Sequence, residues 1–103
     1  MITNDDAIKI NDILEICGAA RLNDTKEISY LNAIGAAVED EEDCYKIAHL
    51  VLIDRLKNQT GQRNYSQVDR LKMLAKSKGF ELENLKPEKK KATVKMFGFG
   101  VMS

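Results

Sequence analysis

Apolar residues recur at intervals of three and four along most of this chain and at intervals of two near residue 100, so the pattern predicts helices followed by something extended. Ile10, Ile13, Leu14 and Cys17 share one helical face. They lie behind Thr3 or Asn4 as an N-cap, with Asp5 and Asp6 in a first turn whose free N–H groups favour anions. This first helix is expected to reach about Ala20. Ile28, Leu31, Ile34 and Val38 repeat at helical spacing behind Asp24 and Glu27, which stand at capping-box separation, and predict a second helix. The central helix is expected over residues 41–58. Asp40, Glu41, Glu42 and Asp43 mark its start, Cys44, Ile47, Ala48, Val51 and Leu52 form its stripe, and Leu50, Ile53 and Leu56 widen that stripe around most of the girth. Such a helix packs on several neighbours, and Gly61 is expected to end it. A polar loop then leads to Ser66, the expected cap of a fourth helix carrying Val68, Leu71, Leu74 and Ala75, stopped by Gly79 with Phe80 folding back over the last turn.

Residues 14–20 and 31–37 echo one another, each opening on Leu and closing on Gly-Ala-Ala, at an offset of 17 residues. That period is too short for a solenoid of helical pairs. The small residues read instead as faces that let the first two helices approach closely. Residues 81–85 have room for one more turn before Pro87 limits it. Beyond residue 88, Phe97, Phe99 and Val101 alternate with period two, and the intervening glycines oppose a helix. A lone strand needs a partner for its backbone, so Val94, Met96, Phe97, Phe99 and Val101 are expected to form a docking arm for a second subunit or another protein. The fold class is therefore all-α: a compact bundle of four to five helices over residues 1–88, with an extended C-terminal arm or short strand over residues 89–103.

Composition supports one folded core. The chain has 103 residues, is 44% hydrophobic and 31% charged, and contains a single proline. A domain of this size buries roughly 60–70% of its unfolded surface. The longest mostly apolar run, 47–53, includes His49 and is far shorter than the ~20 residues of a membrane span, so no membrane crossing is expected. The N-terminus is acidic where a secretory signal would be basic and then apolar, and a cytoplasmic location is expected. Cys17 and Cys44 both fall on apolar stripes and read as buried thiols, not as a disulfide or a metal pair.

Charge changes the picture more than composition does. Residues 1–54 hold 4 Lys+Arg against 12 Asp+Glu, and residues 55–103 hold 12 against 4, so a net charge of zero divides into −8 followed by +8. Such asymmetry points to recognition of charged partners, unless the two halves neutralise each other in the fold or across an oligomer. Glu39, Asp40, Glu41, Glu42 and Asp43 form the candidate acidic face. Arg63, Arg70, Lys72, Lys76, Lys78, Lys89, Lys90, Lys91 and Lys95 form the candidate surface for nucleic acid or an acidic partner, with Tyr65, Phe97 and Phe99 available for stacking.

Catalytic constellations find little foothold. Ala48-His49 on a helix with Gly61 downstream resembles histidine phosphotransfer domains, in which such a histidine accepts phosphate. In that family a lysine and a glycine follow the histidine closely. Here Leu50, Val51 and Leu52 stand instead, and His49 reads as a structural residue. One histidine and no G-x-S-x-G elbow leave a serine or cysteine nucleophile without its base. The acidic run lacks the spaced ligands and central glycine of a calcium loop, and no phosphate-cradling glycine motif is present. A helix-turn-helix would place Pro87 inside its recognition helix. The expectation is a non-enzymatic protein-binding or regulatory module without metal or cofactor, acting through a protein partner or self-association. Nucleic-acid binding by the basic half is the alternative.

Overall fold

The computed structural model describes residues 1–62 and 64–82, which form four helices: α1 (Asn4–Ile16), α2 (Glu27–Ala33), α3 (Glu41–Lys57) and α4 (Ser66–Ser77). Among the described residues there is no strand, and no helix is long and apolar enough to cross a membrane. Arg63 and residues 83–103 lie outside the described residues, and with them the expected extra turn, the 89–103 arm and its Val94, Met96, Phe97, Phe99 and Val101.

α3 is the central element that its wide stripe predicts. Cys44, Tyr45, Ile47, Ala48, His49, Val51, Leu52, Ile53 and Leu56 are all buried on it, and α1 and α4 both pack against it. Asp40 caps its N-terminus by accepting from the Asp43 N–H at 3.1 Å. Glu41, Glu42 and Asp43 occupy its first turn and Arg55 and Lys57 its last, so both ends of the helix dipole meet a complementary charge. The helix stops at Lys57. Gly61 lies beyond it in the loop, with φ +77°, and is not its terminator as expected.

α1 opens on a reciprocal capping box. The Asp6 N–H donates to Thr3 Oγ1 and the Thr3 N–H donates to Asp6 Oδ2, each at 3.1 Å. It closes earlier than expected, at Ile16 and not near Ala20, because Gly18 turns left-handed (φ +80°). The Gly18 N–H then reaches back to the Glu15 carbonyl and the Ala19 N–H to the Leu14 carbonyl, a Schellman closure.

The same closure ends α2, from Gly35 (φ +77°) to Asn32 and from Ala36 to Leu31, and again α4, from Gly79 (φ +85°) to Lys76 and from Phe80 to Ala75. The Leu-to-Gly-Ala-Ala echo is therefore a repeated helix stop. It is not the pair of close-approach faces expected from sequence, and α1 and α2 are not among the closely packed helix pairs.

α2 is shorter than its stripe suggests. Leu31 is fully buried and Ile28 half-buried, but Ile34 is 50% exposed and Val38 lies past the turn. The capping also differs from the expected Asp24–Glu27 pair. Asn23 Oδ1 accepts from the Thr25 and Lys26 N–H groups, and the Asn23 N–H donates to Glu27 Oε1 at 2.8 Å. α4 buries Val68, Leu71 and Ala75 as predicted. Ser66 is its first helical residue and not its cap; Asn64 Oδ1 accepts from the Ser66 N–H at 2.9 Å.

Long-range polar ties fix the loops to this core. Asn11 is buried and its Oδ1 accepts from the Leu22 N–H at 2.7 Å. Asn32 Oδ1 accepts from the Ile2 N–H at 2.8 Å, and Gln67 Nε2 donates to the Gly18 carbonyl at 3.0 Å. Arg55, near the end of α3, donates to the carbonyls of Ala20 and Arg21 and to both carboxylate oxygens of Glu27. Ile10, Leu14, Leu31, Leu52 and Leu71 form the fully enclosed centre.

Candidate functional site

Packing α1 against α3 brings the acidic start of one helix beside the acidic start of the other. Between them, and under the segment that enters α3, lies a groove of about 480 Å³. Among the described residues, Asp6, Asp12, Glu39, Asp40 and Glu41 surround it, Lys9 is the one cation lining it, and Ile13, Val38, Cys44 and Tyr45 supply its less polar wall. Asp6, Lys9 and Ile13 come to one side of α1 because positions i, i+3 and i+7 share a helical face.

The carboxylates are not equivalent. Asp6 and Asp40 are engaged in capping their own helices. Glu41 Oε2 lies 3.7 Å from Lys78 Nζ, at the end of α4. Among the described residues, the side chains of Asp12 and Glu39 make no hydrogen bond or ion pair, so their charge is available to a ligand. The groove is thus a concentration of negative potential beside buried apolar surface, which suits an ammonium or guanidinium group on an aliphatic stem.

Tyr45 lines the groove and is only 3% exposed. Burial raises its ionisation above the usual phenol value, with the Lys78 charge lowering it and Glu41 raising it, so the charges that act on Tyr45 include the ion pair at the rim of the groove. Cys44 beside it is also pushed up, chiefly by burial, and stays a neutral thiol near pH 7. No nucleophile is activated here. Among the described residues, no three His, Cys, Asp or Glu side chains converge as metal ligands would.

No known protein family, curated protein or solved structure matches this chain.

Of the five residues expected to form an acidic face, three reach the groove: Glu39, Asp40 and Glu41. Glu42 instead pairs with Lys46 at 3.6 Å along α3, and Asp43 Oδ2 accepts from the Glu39 N–H at 2.9 Å. The expected basic set does not gather in the same way. Arg70 falls on the opposite side of α4 from Lys72 and Lys76, and Lys78 is committed to Glu41. Arg63, Lys89, Lys90, Lys91 and Lys95 lie outside the described residues. Among the described residues, Glu27 pairs with Arg55 and Glu41 with Lys78 across the acidic and basic halves, so the halves neutralise each other in part while the groove stays acidic.

Asp6, Lys9, Asp12 and Tyr45 were not legible as groove residues. Asp5 and Asp6 read as helix-start anions and Tyr45 had no distinguishing signal. Their convergence depends on how α1 docks, which no local pattern encodes.

Proposed function

We propose that this protein is a non-enzymatic protein-binding module whose α1–α3 groove takes a lysine- or arginine-rich segment of a protein partner. The observation that carries this reading is the charge of the groove: among the described residues five carboxylates line it against Lys9, and Asp12 and Glu39 are not engaged elsewhere. A cationic segment suits this lining. Its ammonium groups neutralise the carboxylates and donate to the phenol oxygen, its backbone carbonyls accept from the phenol O–H, and its aliphatic stems cover Ile13 and Val38.

Titration of a fluorescein-labelled lysine-rich peptide into wild type and into an Asp12→Lys/Glu39→Lys variant tests the reading. Replacing two attractions by two repulsions is expected to weaken binding by about tenfold or more while leaving the far-ultraviolet circular dichroism unchanged, since both side chains are exposed and outside the core. Equal affinity in the two proteins would overturn it. The nucleic-acid alternative, carried by the basic half, requires salt-steep binding of DNA or RNA that is lost in a Lys89→Glu/Lys90→Glu/Lys91→Glu variant. It gains no support from α4, whose cations point to different sides.

A further inference from the structure

The described chain leaves the body beside the groove. The Phe80 ring packs against Tyr45 in a tilted arrangement, with centroids 5.4 Å apart and planes at 55°, and Lys78 two residues earlier pairs with Glu41 on the rim. Leu82, the last described residue, is half-buried against the core. The most cationic stretch of the chain comes directly after it in sequence. Residues 86–95 contain Lys86, Lys89, Lys90, Lys91 and Lys95 against the single acid Glu88. The groove lining has the opposite balance, five carboxylates against Lys9.

Reach is not limiting. Lys86 is four residues past Leu82 and Lys95 thirteen, and an extended chain spans up to about 3.3–3.6 Å per residue, so the lysines have access to the groove from its own edge. Isolated exposed ion pairs are weak, and a free lysine peptide would compete poorly for such a site. A short tether changes that, because it holds its ligand at an effective concentration of about a millimolar.

We infer that the groove is occupied, in the protein alone, by the lysine-rich segment 86–95 of the same chain, which a basic partner must displace. This rests on the reading of the groove as a receptor for cationic segments, and it adds that the receptor carries its own competitor.

Zero-length carbodiimide coupling of the full-length protein at low salt, followed by digestion and mass spectrometry of the monomeric fraction, tests the contact. Expected are links from lysines 86–95 to Asp12, Glu39 and Glu41, lost at ~1 M salt where the Debye length is about 3 Å; the adjacent Lys78–Glu41 pair serves as an internal control. The same lysines joined indiscriminately to Asp24, Asp54 and Asp69, or joined to the groove only in dimers, would overturn the inference.

The competition is read with labelled decalysine. A Lys89→Glu/Lys90→Glu/Lys91→Glu variant of the full chain is expected to bind it about tenfold more tightly than wild type, the factor that a millimolar tether imposes on a ligand of ~100 µM affinity. That gain should vanish when Asp12→Lys and Glu39→Lys are added, which separates release of the groove from the change in net charge. Equal binding by wild type and the tail variant would dismiss self-occupation while leaving the groove a receptor. Binding by neither would dismiss both.

Discussion

Arg55 Nε and Nη2 each donate to one carboxylate oxygen of Glu27 at 2.7 Å, closing a two-point fork between α3 and the first turn of α2. The same guanidinium also reaches the carbonyls of Ala20 and Arg21, at 2.9 and 3.0 Å. One side chain thus ties the loop between α1 and α2 to the central helix, beside the buried Cys17, Ala19 and Leu22 of that loop. Arg55 is 26% exposed and Glu27 17%, so the pair is more than a solvated surface contact.

Arg55→Ala is expected to destabilise the protein by about 2–3 kcal/mol, because Glu27 loses its charged partner and two carbonyls lose theirs. In a domain of this size the melting temperature should fall by roughly 10 °C or more. Arg55→Lys keeps the charge but cannot form the fork, and should recover only part of the loss. Thermal unfolding followed by circular dichroism measures both, and an unchanged melting temperature in Arg55→Ala would contradict this anchoring role.

Stability should fall at both ends of the pH scale. The Arg55 hydrogen bonds hold the Glu27 carboxyl below the usual range, against a smaller opposing effect of burial. The unfolded chain therefore takes up this proton first as pH drops below about 4.3, and the stabilisation present above that pH is lost as pH falls through the folded value. Burial raises Cys17, Cys44 and Tyr45, so in alkali the unfolded chain releases protons first and stability declines as pH climbs past about 8.5. Urea titrations across pH should show a plateau between these limits, and a Glu27→Gln variant should lose much of the acid limb.

Tyr45→Phe separates stability from binding. The substitution keeps the ring and its packing, so folding stability should stay within about 0.5 kcal/mol of wild type. The labelled basic peptide should nevertheless bind less well. If the substitution instead costs stability on the order of a lost hydrogen bond, the phenol has a structural partner and does not await a ligand.

The glycine stops should differ in tolerance. A Cβ on Gly35 meets nothing within 4 Å, so Gly35→Ala costs only the left-handed conformation, about 1–2 kcal/mol. At Gly18 the added carbon would also lie 3.0 Å from Arg70 Nη1, and Gly18→Ala should be the more damaging unless that side chain swings away. Chemical denaturation of the two variants compares them directly.

The sequence pattern anticipated α3 and α4 well, since a buried helix announces itself by apolar residues on most sides and Gly79 stopped α4 as expected. α2 was harder to read. Asn23 and Asp24 have nearly the same capping chemistry, and Asn23 is used where the Asn11–Leu22 bond and the Arg55 contacts hold the preceding loop. The echo at Gly18 and Gly35 was visible as a repeat, but its meaning lay in backbone dihedrals. Glu39, Asp40 and Glu41 stood out as an acidic run, whereas Asp12 and Tyr45 joined them only through the docking of α1 on α3.

The three glycine closures have a kinetic implication. Each reverses the chain using bonds that span five residues or fewer, so α1, α2 and α4 can terminate correctly before any distant contact exists. The search that remains is the docking of preformed pieces on α3. Helical domains whose contacts are mostly local fold in about microseconds to milliseconds, and stopped-flow refolding of this protein is expected to fall in that range rather than in the slower range of sheets.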